Sequence, residues 1–352
     1  MPVDPSTSSG NVPSSVRTTD YHTGGEPFRI VVDPPVDIPG TDVADRRARA
    51  IEDPAVDGLR RFLGFEPRGH ADMYGGFLVP PDDPVGDLPR AHLGVLFWHK
   101  DGFSTACGHG TIALGAWAVE SGRVEAPDDG VTDVVVDVPS GRVTARVHTV
   151  GGRVEAVDFV NVPSYVVATG IVVATAYGTV SVDVACGGAL YASLDVASVG
   201  LRVEPGSHTE LIALGREVKR ALADHPAARH PSDERLSGIY GTILFEDLGP
   251  LPTGPHQRNV TIFADGEVDR SPCGSGTASR VASLAASGVL GADQVLTHDS
   301  IVGSRFVARV LERTTADGFP AVVPSITGTA HRTGEHEFVV DPRDTLPGFV
   351  LR

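Results

Sequence analysis

Cysteine is scarce, with 3 residues in 352. So small and odd a number cannot build a disulfide framework over this length, and a reducing compartment, the cytoplasm, is the expectation that follows. There is no Cys-x-x-Cys pair, and Cys107 and His109 stand too close together for a typical zinc spacing, so no metal is expected. A phosphate loop is excluded because Gly-x-x-x-x-Gly-Lys-Ser/Thr does not occur. Cationic charge is in deficit: 29 Lys and Arg face 45 Asp and Glu, a net charge of −16 that excludes nucleic acid and an anionic membrane surface as partners. No apolar run reaches the ~18 residues of a membrane span. The first residues show no basic stretch followed by an apolar one, so a secretory signal is not expected either. Residues 1–17, rich in Pro, Ser and Gly, read as a flexible tail.

What the chain does have is alternating valine. The segment "VTDVVVDVPSGRVTARVHTV" (131–150) predicts two strands around a Pro-Ser-Gly turn. Helical periodicity is clearest at 110–122, 209–225 and 276–291. Many strands with few helices give an α+β class. An internal repeat sharpens this. "TACGHGTIALGAWAVESG" and "SPCGSGTASRVASLAASG" align on Cys107 and Cys273, 166 positions apart. Gly24-Gly25 aligns with Gly187-Gly188, and "SGRVTARV" (140–147) with "GSRFVARV" (303–310), each pair 163 positions apart. Three anchors in the same order predict two pseudo-symmetric α/β lobes: residues 18–165, and residues 166–331, with 332–352 returning to the first lobe.

Each copy places Cys-Gly-x-Gly-Thr at the start of a helix that is apolar on most faces and therefore buried. If the lobes face each other, Cys107 and Cys273 both point into the cleft between them, where ligand pockets are favoured. The helix N-termini keep unsatisfied N–H groups, left open by Gly108, Gly110, Gly274 and Gly276, and such an end accepts a carboxylate. It also favours thiolate over thiol. Two thiols flanking one carbon can run a two-base inversion: one removes the proton alpha to the carboxylate, and the other returns one to the opposite face. Asp269 can pair with a substrate ammonium, and His109 lies beside Cys107. A buried cysteine is more often an inert small hydrophobe, and a cysteine protease arrangement with His109 stays open. The duplication of the cysteine is what favours the symmetric pair. Cys186, aligned with Thr23, reads as a packed strand residue, with pocket lining as the alternative. Trp98, Phe103, Tyr74 and Tyr240 are expected mainly in the core, with pocket lining as the alternative.

At "DYHTGGEPFRIV" (20–31), "EPRGHADMYGGFLVP" (66–80), "FSTACGHGTIALG" (103–115), "VACGGALYA" (184–192), "IYGTILFE" (239–246) and "VDRSPCGSGTASR" (268–280) the sequence resembles the proline racemase family. That family includes proline racemase, 4-hydroxyproline 2-epimerase and trans-3-hydroxy-L-proline dehydratase. The resemblance implies a diaminopimelate-epimerase-like fold, each lobe a curved sheet around a central helix, with the active site in the cleft. It implies no cofactor and a homodimer. Cys107 and Cys273 would be the acid/base thiols. Gly108, His109, Gly274 and Ser275 would bind the substrate, largely through backbone N–H, while Asp269 and His109 would hold its ring nitrogen. "EPRGHADMYG" and "HTGGEP" are most similar to the dehydratase branch, which resembles "DRSPTGSG" at the second catalytic position. Cysteine there favours inversion, because a thiol is a far stronger acid than a threonine hydroxyl. The expected activity is therefore racemisation or 2-epimerisation of 4-hydroxyproline or proline. The alternatives are trans-3-hydroxy-L-proline dehydration and a non-catalytic imino-acid binding protein.

Overall fold

A computed structural model describes residues 15–84, 86, 89–346 and 348–351. Its first lobe contains β1 (Ser15–Thr23), β2 (Glu26–Val31), α1 (Val43–Glu52), α2 (Pro54–Gly64), β3 (Tyr74–Val79), β4 (Leu93–His99), β5 (Gly102–Phe103), α3 (Gly108–Glu120), β6 (Gly130–Val138), β7 (Gly141–Val150) and β8 (Arg153–Val160). The second contains β9 (Ser164–Thr175), β10 (Gly178–Cys186), β11 (Leu190–Asp195), α4 (His208–Ala221), β12 (Ile239–Asp247), β13 (His256–Phe263), β14 (Glu267–Asp269), α5 (Gly274–Ala286), β15 (Leu296–Ser300), β16 (Arg305–Ala316) and β17 (Phe319–Gly328). The last strand, β18 (Ala330–Val339), pairs antiparallel with β1.

The repeat is present in the pairing itself. β2 lies parallel to β3 and β4 parallel to β6, with antiparallel partners between and after them. In the same order β11 lies parallel to β12 and β13 parallel to β15. Each parallel step needs a crossover: α1 and α2 span the first of these in one lobe, α4 in the other, and α3 and α5 span the second. The sheet is continuous between lobes through β17, which pairs with both β8 and β9.

Of the expected tail, residues 1–14 lie outside the described residues. Ser15, Val16 and Arg17 are a correction to it: they belong to β1, in register with Val339, Phe338 and Glu337. Val16 alternates inward and is buried, which is reason enough for the strand to extend this far.

Residues Gly108 to Ala118 of α3 are all buried, and its core neighbours come from strands on several sides, among them Phe28, Val136, Ala145 and Phe159. α5 is equally enclosed. Its one long polar side chain, Arg280, bonds to Gln257 and Ser193 and lies over the Phe245 ring at 3.9 Å, so its charge is buried with partners. The two helices meet at their N-termini. A Cβ built on Gly108 would fall 2.5 Å from Gly274 Cα, and one on Gly274 would fall 2.5 Å from Gly108 Cα. Only glycine on both sides allows this approach.

Candidate active site

Cys107 is the N-cap of α3. Its backbone is extended (φ −153°, ψ 101°), and its Sγ accepts the Gly110 N–H at 3.2 Å. Cys273 occupies the same place before α5 but with φ +62°, a left-handed conformation that a non-glycine residue rarely adopts. Its N–H is held at 3.0 Å by Ser271 Oγ, and Ser271 in turn donates to Asp269 Oδ1 through both N–H (2.8 Å) and hydroxyl (2.7 Å). Strain fixed in this way by a local network is a mark of a functional position. Cys107 and Cys273 are 4% and 6% exposed, so the cleft is closed over them.

The remaining expected site residues converge here. His109, buried, lies 3.5 Å from Cys107 Sγ and is clamped edge-on between Tyr74 (centroids 4.9 Å apart) and Phe28 (5.9 Å). Burial pushes its imidazole down to about 3, so the ring is neutral. Ser275 is its counterpart after Cys273 and bonds to Tyr191 Oη at 2.7 Å. Asp269 is buried beside Cys273, and burial pushes its carboxyl up to about 6. Neighbouring Glu26, fully buried, is also driven well above the usual carboxylate range, by burial first and by Asp269 next.

The protonation state of the thiols departs from expectation. Both are pushed above the ordinary thiol range: burial is the largest cause, and the N–H groups of Gly110 and Gly276 offset it only in part. Desolvating a thiolate costs more than a helix end returns when the cleft is shut. In the closed site both cysteines are thiols.

Tyr74 and Tyr240 belong to the site: they are repeat mates 166 positions apart, and their hydroxyls meet at 2.9 Å, with Ser104 hydrogen-bonded to Tyr74. Trp98 and Phe103 instead pack with Phe77 in a separate core behind β4. Cys186 is buried in the core of the second lobe, in register with Tyr165 and Leu190. Among the described residues one group of metal-ligating types comes together, His99, Asp101 and Glu267. Lys100 Nζ already sits 2.7 Å from Asp101 and 3.8 Å from Glu267, and supplies the cation that such a group requires.

Comparison with known proteins places this arrangement. A family profile for proline racemase matches residues 18–350. The chain belongs to the proline racemase family. It is 45% identical to a trans-3-hydroxy-L-proline dehydratase of Burkholderia ambifaria over 96% of this chain and 98% of that protein. It is 44% identical to a 3-hydroxyproline 2-epimerase of Burkholderia multivorans with the same coverage. A solved hydroxyproline epimerase from Agrobacterium vitis, with bound trans-4-hydroxy-L-proline, superposes with a TM-score of 0.87 at 30% identity over 96% of each chain. The proline racemase fold is thus the architecture described here, two similar lobes with a helix at the heart of each. Tyr191, Phe28, Phe263 and Glu26 line or adjoin the candidate site, and motif reading passes over them. They lie on β2, β11 and β13, where near-continuous burial does not say which face meets the thiols, and the repeat alignment that pairs Phe28 with Tyr191 is a cue for those two alone.

Proposed function

We propose that this protein is a cofactor-independent 2-epimerase that inverts Cα of a 3-hydroxyproline, with Cys107 and Cys273 as its two acid/base groups. The observation that carries this reading is a cysteine at both facing helix caps, each with a glycine-opened N-terminus beside it. In this scheme the substrate carboxylate lies against the N–H groups at the starts of α3 and α5. Asp269 receives the ring ammonium, and neutral His109 lines the same side. One thiolate takes the Cα proton, the electron pair spreads into the carboxylate, and the opposite thiol protonates the other face. The hydroxyls of Tyr74, Tyr240 and Ser104 offer hydrogen-bond partners suited to a hydroxylated ring.

The resemblance in the sequence pointed to 4-hydroxyproline or proline. The 3-hydroxyl is preferred here because the relatives at 44–45% identity carry 3-hydroxyproline in their names, while the neighbour holding 4-hydroxyproline is 30% identical. Dehydration is the second reading, favoured by the name of the Burkholderia ambifaria relative. A 3-hydroxyl sits beta to the carbanion and can leave, so the outcome depends on whether Cys273 returns a proton before hydroxide departs. A homodimer in the cytoplasm completes the proposal, the former to be checked by sedimentation equilibrium.

Incubation with 3-hydroxyproline, 4-hydroxyproline and proline in D2O, followed by NMR, tests this. Deuterium at Cα with inversion supports the epimerase. Loss of the hydroxyl, with Δ1-pyrroline-2-carboxylate trapped by o-aminobenzaldehyde, supports the dehydratase instead. Binding without exchange would leave an imino-acid binding protein.

A further inference from the structure

We infer that Tyr191 is a positioning residue for one half of the reaction: its hydroxyl supports Cys273 as a thiolate. The inference rests on the two-thiol reading above. Tyr191 is in β11, 1% exposed, with its ring edge-on to Tyr240 at 5.7 Å. Its Oη lies 3.8 Å from Cys273 Sγ and 2.7 Å from Ser275 Oγ. When the Ser275 hydroxyl donates to Tyr191 Oη, the phenolic proton is free to point at the sulfur.

The repeat does not place a donor at the same position in the other lobe. The mate of Tyr191, 163 positions earlier, is Phe28. Phe28 packs on His109 and against Gly110, next to Cys107, but has no hydroxyl to offer. Cys107 takes its hydroxyl partner from Tyr74 instead, beside the Gly110 N–H at 3.2 Å and the His109 ring at 3.5 Å. Asp269 opposes a negative charge on both sulfurs, and at Cys273 it is the largest cause after burial. A donor at Cys273 is what that side needs if the two thiols are to exchange roles.

The step balances without any further reactant. When Cys273 is the base, the Cα–H bond breaks, an S–H bond forms, and Cys107 S–H gives its proton to the opposite face. In the reverse direction Cys107 is the base and Cys273 S–H the acid. Tyr191 accepts from the Cys273 S–H while that group is a thiol and donates to the sulfur once it is a thiolate, keeping its own proton in both directions.

Tyr191→Phe tests the assignment, with folding checked by circular dichroism and melting temperature. Without the donor Cys273 is a weaker acid and a scarcer thiolate. Inversion in D2O is expected to fall about 10- to 100-fold with KM little changed. The epimer whose Cα–H faces Cys107 continues to take up deuterium without inverting, so its ratio of exchange to inversion rises. The other epimer loses exchange and inversion together. Wild-type rates, or an equal loss of exchange in both epimers with a raised KM, overturn the inference. A second comparison needs no turnover. In the Cys107→Ser protein, the pH midpoint for iodoacetamide alkylation of Cys273, read on its own peptide by mass spectrometry, is expected to rise by about one unit when Tyr191→Phe is added. An unchanged midpoint overturns it. If the wild-type protein exchanges no imino acid, the proposed function fails, and the alkylation comparison still decides Tyr191.

Discussion

At the scale of single residues, the site is defined by how burial competes with local donors. A helix N-terminus alone would leave Cys107 and Cys273 partly ionised at neutral pH, yet desolvation outweighs the N–H contacts and keeps both as thiols. Catalysis needs one of them as thiolate, so kcat/KM is expected to climb with pH through the neutral range and beyond. Asp269 sets the other limb. Its carboxyl is ionised only above about 6, because burial raises it by more than the Ser271 hydrogen bonds and, after them, Arg270 pull it down. As pH falls through that value the carboxylate takes a proton and can no longer hold an ammonium, so kcat/KM is expected to drop below about pH 6. Asp269→Asn removes this limb and raises KM; a limb that survives the substitution would assign it elsewhere. Cys107→Ser and Cys273→Ser are each expected to lower inversion by about 10²–10⁴-fold, since a serine hydroxyl is a poor acid and base at the pH of the reaction. Inversion at wild-type rate in either variant, followed by NMR in D2O, would exclude the two-base scheme.

At the scale of elements, everything depends on two helices meeting end to end. Gly108→Ala places a methyl 2.5 Å from Gly274 Cα and 2.8 Å from the Phe159 ring. Backbone cannot yield as a flexible side chain does. The helix ends must therefore separate, at a cost of about 1–3 kcal/mol, measurable as a lowered midpoint in urea unfolding. Inversion should be lost as well, because the same separation moves the thiols apart. These helices were legible in the sequence: a cysteine, two glycines and a run of small apolar residues occur twice at one spacing, and α3 and α5 are both 13 residues long. So was the hairpin of β6 and β7 around its Pro-Ser-Gly turn. Helices α1 and α2 were not anticipated, because their exposed faces are charged and dilute the apolar period. Their starts do carry a local signature, Asp42 and Asp53 as N-caps with Pro54 in the first turn. Tyr191 shows the other reason for a miss. β11 is buried along almost its whole length, so its sequence does not mark a face, and whether a buried tyrosine faces a core or a thiol is settled by which strand lies opposite.

At the scale of the whole molecule, the two lobes share one sheet through β17 yet close over the thiols from both sides. With Cys107 and Cys273 at 4% and 6% exposure, a substrate enters only when the lobes part. A single movement that uncovers both cysteines has a measurable consequence. Iodoacetamide should alkylate the two in the open form alone, each at a rate set by the open population and its own thiolate fraction. Substrate that holds the lobes shut lowers the open population for both. The fractional protection of Cys107 and Cys273 should therefore be equal, even though their absolute rates differ. Cys186 supplies an internal comparison: it packs in the core of the second lobe and caps neither central helix, and its labelling should not follow substrate as theirs does. Peptide mass spectrometry over a time course reads all three thiols in one sample. Unequal protection of Cys107 and Cys273 would mean that the two helix caps open separately, and the lobes would then not move as units.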